Sequence, residues 1–507
     1  MRKISILIGI CACFDLGCRP GSTIHNRTIT ILLDPPPVTL NPRHSIDANG
    51  QRIGALIFRG LTKLNKDLVV EPDIAEQWQA IENGRGWKFK IKPGLTDHGG
   101  ELITAEKMAQ CLEYYRSGRP VSPLRAGFPF WKETGHSNDI VFIKLEKPDP
   151  YLPKNISSLR FFRIAGEKIP CADGRNTDNM IGSGPFKPIN WDPSPQNQIT
   201  MTPNDPADNR LTVRFVFIKD STSALFKIIN GEADATQNSL SLTKTRWLQR
   251  NYSSRFNTLE RNGVAVSYLA FNMRDKVLAR KNIRIAIASA ISKEEIISNK
   301  LLEITFPSSS FLAPGLEESF SPEPLKHDTA YAEQLLDQEG LHRGKNGVRL
   351  ELHYKTTPIR EGFETALMLQ EMLGKIGIKI IIDMVEPAVF FASIRKGFFQ
   401  LYSSRWIGVA DGSILFRTLR SGQPLNRIGY SNPAMDKLLD AAISETDPVT
   451  RKNLLKQAQE LMLDDLPYFP LWFWKNTLIV KKEFTGLTDS SLSLSGGLEP
   501  LTYLRYR

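Results

Sequence analysis

The stretch from 345 to 411 restricts the possible folds of this chain more than any other part. Val348, Leu350, Leu352 and Tyr354 alternate with Arg349, Glu351 and His353, which is the period of a strand. From Glu361 to Ile376 the apolar residues Phe363, Ala366, Leu367, Met372, Leu373 and Ile376 recur at helical spacing, and Gly377 is placed to end that helix. Ile378 to Val385, rich in β-branched residues, predicts a second strand. Pro387 to Lys396 predicts a helix with proline in its first turn, and Phe398 to Tyr402 a third strand. A β-α-β-α-β order implies a parallel sheet with helices on its faces, an α/β fold.

In such sheets ligands sit outside the carboxyl ends of the strands. The segment leaving the third predicted strand, Ser403 to Gly412, holds Arg405, Trp406, Ile407 and Asp411 together with two glycines, Gly408 and Gly412. It combines a cation, an aromatic face and a carboxylate, and is the best ligand-contact candidate. The residue types alone slightly favour a core tryptophan and a turn aspartate over ligand contacts.

The other elements are shorter. Thr28 to Leu33 predicts a strand ended by Asp34-Pro35-Pro36-Pro37, and Trp87 to Ile91 a half-buried strand ended by Pro93-Gly94. Thr104 is a plausible N-cap for a helix running to Tyr115, and Asp447-Pro448 opens another. Pro470 to Trp474 is strongly aromatic, as a core segment is.

A chain of 507 residues exceeds the roughly 250–300 that one core supports, so at least two domains are expected. With 41% hydrophobic and 23% charged residues, disordered and fibrous classes are excluded. The net charge of +11 is spread along the chain without basic runs, which argues against nucleic acid and suits a solvated surface near an anionic membrane.

Met1-Arg2-Lys3 is positive, Ile4 to Phe14 is apolar or small, and Gly17-Cys18-Arg19-Pro20 follows. This is the layout of a secretory signal over residues 1–18. It is too short for a permanent span, which needs about 20 residues. Leu16-Gly17-Cys18 resembles the lipobox of bacterial lipoproteins, making Cys18 a lipidation candidate. Asp15 stands where that motif is usually apolar, and Cys13 is the second candidate. The expected location is periplasmic, with a lipid anchor to the membrane. Cys111 and Cys171 could pair in an oxidising compartment, but sequence separation does not decide it.

Sequence motifs for catalysis or metal binding are missing. There is no phosphate loop and no G-x-G-x-x-G after a strand. Gly182-Ser183-Gly184 lacks the frame of a nucleophile elbow, and the seven histidines show no metal spacing. Asp464-Asp465 reads as a solvated pair. A Ser/His/Asp site assembled across the fold stays open at this level.

A series of short elements, in order, carries a family resemblance. It begins with Thr39-Leu40-Asn41-Pro42, Phe58-Arg59-Gly60-Leu61, Glu71 to Trp78 and Trp87 to Gly94. Thr104-Ala105-Glu106, Gly182-Ser183-Gly184-Pro185-Phe186 and Gly231-Glu232-Ala233-Asp234 follow. The second half adds Phe271-Asn272, Ile283-Arg284-Ile285-Ala286, Pro314-Gly315, Ala332 to Leu336, Tyr430 to Asp436 and Asp465 to Leu471. Over about residues 28–485 the chain resembles the extracytoplasmic oligopeptide-, dipeptide- and nickel-binding proteins of ABC importers, solute-binding family 5.

That resemblance implies a two-lobed periplasmic binding protein fold (type II, cluster C) with an extra domain and mixed sheets. It places domain I at 24–55, 176–262 and 480–507, domain II at 56–175, and domain III at 263–479. It implies a monomer without cofactor or enzymatic activity that binds a peptide and delivers it to permease subunits. Trp406 matches the family's pocket tryptophan and Tyr268 the tyrosine before Phe271-Asn272. Val38 falls where the first lobe pairs with the ligand backbone. Oligopeptide binders have an aspartate three residues after the tryptophan, for the ligand's α-ammonium; here that residue is Val409, and Asp411 is the nearest carboxylate. The departure opens muropeptides, a nickel chelate or haem as alternative ligands, and an exported peptide or cell-wall hydrolase as a different class.

Overall fold

The computed structural model describes residues 28–166, 171, 180–189 and 197–507; the expectations for the signal segment, Cys13 and Cys18 lie outside the described residues. Eleven strands form the main sheet. In chain order they are β1 (Thr28–Leu33), β2 (Phe186–Pro188), β3 (Gln198–Pro203), β4 (Thr212–Phe217), β5 (Ala235–Gln237) and β6 (Phe256–Phe271). Then come β7 (Thr305–Pro307), β8 (Leu350–Thr356), β9 (Ile378–Met384), β10 (Leu401–Trp406) and β11 (Tyr468–Lys481). Their spatial order is β2-β3-β4-β1-β5-β11-β6-β10-β8-β9, with β7 also on β11.

Each end of this sheet is one lobe. β1 runs parallel to β4 and β5, and β8 runs parallel to β9 and β10. The long antiparallel strands β6 and β11 join the ends. Period-two patterning buries both faces. Val266, Tyr268 and Ala270 of β6 enter one core, whereas Leu269 and Phe271 enter another. On β1, Ile29, Ile31 and Leu33 lie in one core and Leu32 in a different one. A separate four-stranded antiparallel sheet is drawn from Ala75–Ile81, Gly86–Ile91, Trp131–Ser137 and Ile140–Leu145. The helix Ala105–Ser117 packs on it, capped by Thr104, whose hydroxyl accepts from the Lys107 amide.

The helices predicted at 361–376 and 387–396 form as Arg360–Lys375 and Pro387–Lys396. The third strand is displaced: 398–402 was the expectation, and Leu401–Trp406 is what forms. Gly397 adopts a left-handed conformation to end the preceding helix, and the Phe398 amide bonds back to the Ser393 carbonyl. The buried Asn272 side chain then donates to the Gly397 and Phe399 carbonyls, so 397–400 are consumed by a turn. Ser403 to Trp406 therefore lie within the sheet.

Gly182-Ser183-Gly184 is a backbone clasp. A Cβ on Gly184 would lie 2.4 Å from the Leu56 carbonyl oxygen, and one on Gly182 2.6 Å from that of Ile57. The close approach lets the Ser183 and Gly184 amides bond to the Ile57 carbonyl. The Ser183 hydroxyl is buried, accepting from the Arg59 amide and donating to the Phe161 carbonyl. Cys111 and Cys171 form a disulfide, with Cα atoms 5.0 Å apart. Asp465 departs from the solvated reading: it accepts from the Tyr430 hydroxyl and the Asn432 side-chain Nδ2, which knits the end of helix Pro448–Asp465 to the 430–433 segment.

Candidate functional site

The waist of the main sheet holds a cavity of about 370 Å³. It is built from strand ends of both lobes. Asp34 follows β1, Asn238 and Ser239 follow β5, and Ile407 and Gly408 follow β10, each at a carboxyl end. The floor is the crossing of β6 and β11. There the ladder slips between Asn262 and Val266, so residues 263–265 fall outside the β6–β11 and β6–β10 pairings and line the cavity, with the Val264 amide bonded to the Leu494 carbonyl. Gly263 is required at this bulge, because a Cβ would lie 2.5 Å from the Trp474 carbonyl oxygen.

The charged side chains divide into paired and unpaired. The Arg405 guanidinium lies 3.8 Å from the centroid of the Trp474 ring and 3.4 Å from a Glu361 carboxylate oxygen. The Trp474 indole N–H is held by the Ser267 hydroxyl at 2.9 Å. Lys475 pairs with Glu260 at 3.4 Å, and Arg52 donates to the Ser495 carbonyl at 3.1 Å. The Asp34 amide donates to the Ser239 hydroxyl at 3.1 Å, while burial raises the pKa of its carboxyl, offset in part by the charge of Lys219.

A second cavity, of about 210 Å³, shares Glu361, Arg405 and Trp474 with the first. Its walls are largely apolar, with Trp472 and Phe390 buried and Ile359 and Phe391 exposed at its mouth.

The six predicted contact residues do not converge. Arg405 and Ile407 line the main cavity. Trp406, one residue along the strand from Arg405, turns to the other face and stacks on Tyr268, with ring centroids 5.4 Å apart. Tyr268 is itself buried in the aromatic core with Phe311, Tyr402 and Tyr468. Val38 is 85% exposed, and its amide donates to the Asp47 carboxylate.

Asp411 lines a different cavity, with Tyr151, Lys154, Glu318 and Arg451, and accepts from the Ser413 amide and hydroxyl. Val409 is buried in the second-lobe core. Asp34, Glu361 and Trp474 were not anticipated. The strand-end rule that singled out 403–412 applies equally to Asp34 after the first strand. Among the described residues no cluster of His, Cys, Asp and Glu could hold a metal ion, and no helix is long and apolar enough to cross a membrane.

Comparison with known proteins agrees on the fold. NikA from Brucella suis in complex with Fe(III)-EDTA superposes with a TM-score of 0.83 at 20% identity, over 95% of this chain and 100% of that one. The oligopeptide-binding protein AppA from Bacillus subtilis, in complex with a nonapeptide, gives 0.75 at 20% identity, over 95% and 99%. In sequence, the oligopeptide-binding protein OppA of Bacillus subtilis (strain 168) is 24% identical over 504 residues, 91% of this chain and 90% of the relative. The profile of "Bacterial extracellular solute-binding proteins, family 5 Middle" matches residues 69–425. With its two lobes joined by β6 and β11 and a cavity at the waist, the chain belongs to the family 5 bacterial extracellular solute-binding proteins.

Proposed function

We propose that this protein is the substrate-binding component of an ABC importer, which takes oligopeptides between its lobes and delivers them to the permease as a monomer, without a cofactor and without chemistry of its own. The observation that carries this reading is the cavity floor. Residues 263–265 lie outside the β6–β11 and β6–β10 ladders and line the cavity beside the end of β10 at Ile407 and Gly408; the Val264 amide is bonded to the Leu494 carbonyl, which leaves Gly263 and Ala265 for a ligand backbone. Such strand ends suit a ligand that pairs through its own backbone, which gives affinity with little dependence on side chains. The apolar second cavity beside Arg405 suits a ligand side chain. The lobes would close on the ligand by bending where β6 and β11 cross.

The same reading assigns ligand contact to Arg405 and Ile407, and makes Trp406 and Tyr268 the packing behind them. It divides the chain at 24–55 with 176–262 and 480–507, 56–175, and 263–479; the separate sheet between 75 and 145 supports the second of these. Export with lipid attachment at Cys18 or Cys13 fits the signal-like first residues, and the Cys111–Cys171 disulfide suits an oxidising compartment. The buried, doubly bonded Ser183 argues against a hydrolase centred on that motif.

A second reading, a metal chelate or other non-peptide solute, is favoured by Val409, which puts a buried methyl pair where the family's peptide binders carry an aspartate. Native mass spectrometry of the freshly purified protein separates the two. Co-purified masses that fragment as peptides support the first reading. A single non-peptide mass, with no binding of tri- to pentapeptides in calorimetry, would overturn it.

A further inference from the structure

The main cavity is lined by two carboxylates, Asp34 and Glu361. Glu361 faces Arg405 at 3.4 Å, so its charge is answered within the protein. The cavity's other cations are also engaged, Lys475 by Glu260 and Arg52 by the Ser495 carbonyl. Asp34 differs. Among the described residues its carboxylate has no ion-pair partner within 4 Å, and the one cation acting on it is the more distant Lys219. A half-buried carboxylate without a cation is unfavourable unless something arrives to pair with it.

Its surroundings hold it in place. Asp34 sits between β1 and the Asp34–Pro35 bond, its amide fixed to Ser239 and the Pro35 carbonyl fixed by the Asn49 side chain at 2.7 Å. The alternatives in the second lobe are spent. Val409 is in the core, and Asp411 is bonded to Ser413 in another cavity.

We propose that Asp34 is the cation anchor of the ligand site and pairs with the free α-ammonium of a bound peptide, which places the peptide's amino terminus against the first lobe. The assignment rests on the peptide reading above. It orients the ligand: the amino end lies at Asp34, and the chain runs along 263–265 toward Arg405 and the apolar second cavity.

The test uses the full mature protein and an equimolar library of tri- to pentapeptides in free-amine and N-acetylated forms, with retention read by native mass spectrometry. A charge-assisted hydrogen bond corresponds to about tenfold or more in affinity. Wild type should retain free-amine peptides at least about tenfold over their acetylated forms. Asp34→Asn should abolish that preference while holding acetylated peptides at the wild-type level, which also shows that it has folded. Asp34→Glu, which keeps the charge, should keep the preference.

A preference that survives in Asp34→Asn, or is absent from wild type, overturns the anchor and leaves peptide binding standing. Loss of the preference in Asp34→Glu as well would mean that shape rather than charge is at work, and also overturns it. Retention of neither form by wild type overturns the peptide reading together with the anchor.

Discussion

Arg405 and Trp406 are consecutive in the chain, and strand geometry sends them to opposite faces. Arg405 pairs in register with Ser267 and lies over Trp474 in the cavity, whereas Trp406 stacks on Tyr268 behind it. Their substitutions should therefore separate binding from stability. Arg405→Ala removes an accessible cation and should weaken ligand binding about tenfold while changing stability by less than about 1 kcal/mol. Trp406→Ala removes a stacked, half-buried ring and should cost about 2–4 kcal/mol of stability, with the smaller loss of affinity. Calorimetric titration and thermal melts of both variants check this. Equal affinity in Arg405→Ala and wild type would remove Arg405 from the site. The sequence made both residues visible as candidates. It did not reveal which faced the ligand, because that parity depends on where the strand starts, and the strand starts three residues later than the residue pattern suggests.

At the scale of elements, one local constraint, the clasp at 182–184, holds the first lobe to the segment that follows it, and a second, the Cys111–Cys171 disulfide, closes a loop within that segment. Gly184 allows the clasp at 182–184 to sit against residues 56–58, and an added Cβ would meet backbone, which cannot step aside. Gly184→Ala should lower stability by about 1–3 kcal/mol or more through overpacking, against under about 1 kcal/mol for Gly127→Ala, where a Cβ meets nothing within 4 Å. Comparable melting temperatures for the two variants would contradict the clasp. The Cys111–Cys171 disulfide spans a sequence separation of 60. In the chain-entropy description a closed loop of that size gives about 4 kcal/mol. Cys171→Ser should lower the unfolding midpoint, and a reducing agent should lower wild type to the same value while leaving the variant unchanged.

The elements of 345–411 were legible because periods of two and 3.6 fit their residues without ambiguity, and Gly377 marks the end of the first helix. The displaced third strand was not, because its start is set by Asn272, more than a hundred residues earlier, binding the Gly397 and Phe399 carbonyls. The disulfide was open for the same reason: sequence separation carries no distance. The cavity itself draws on Asp34, Asn238, Glu361, Arg405 and Trp474, which only the fold brings together.

At the scale of the whole molecule, residues 149–154 meet the second lobe through a buried, hydrogen-bonded junction. The Tyr151 hydroxyl donates to Glu318 at 3.0 Å, Arg451 pairs with the same carboxylate at 2.6 Å, and the Gly412 amide donates to it at 2.7 Å. Lys154 donates to the Ala410 carbonyl at 3.1 Å. Asp149 and Asp411 lie at the same junction. Burial pushes the Asp149 carboxyl up to about 6, opposed by the Tyr151 amide that donates to it and reinforced by the charge of Asp411. The folded protein therefore keeps this proton up to about pH 6, whereas the unfolded chain releases it near 3.8. Between these values the native state binds more protons, so stability falls as pH rises from about 4 to 6 and levels off above. The two-unit gap corresponds to at most about 3 kcal/mol at neutral pH. Asp149→Asn, which keeps the acceptor for the Tyr151 amide and carries no charge, should match wild type near pH 4 and exceed its stability by about 1–3 kcal/mol at pH 7. Asp411→Asn should move in the same direction by less, because it removes only the neighbouring charge. Scanning calorimetry of the three proteins at pH 4, 5, 6 and 7 reads the effect directly: a difference between wild type and the Asp149→Asn variant that stays constant across that range would mean that Asp149 binds its proton equally in the folded and unfolded states and that the junction exerts no such control.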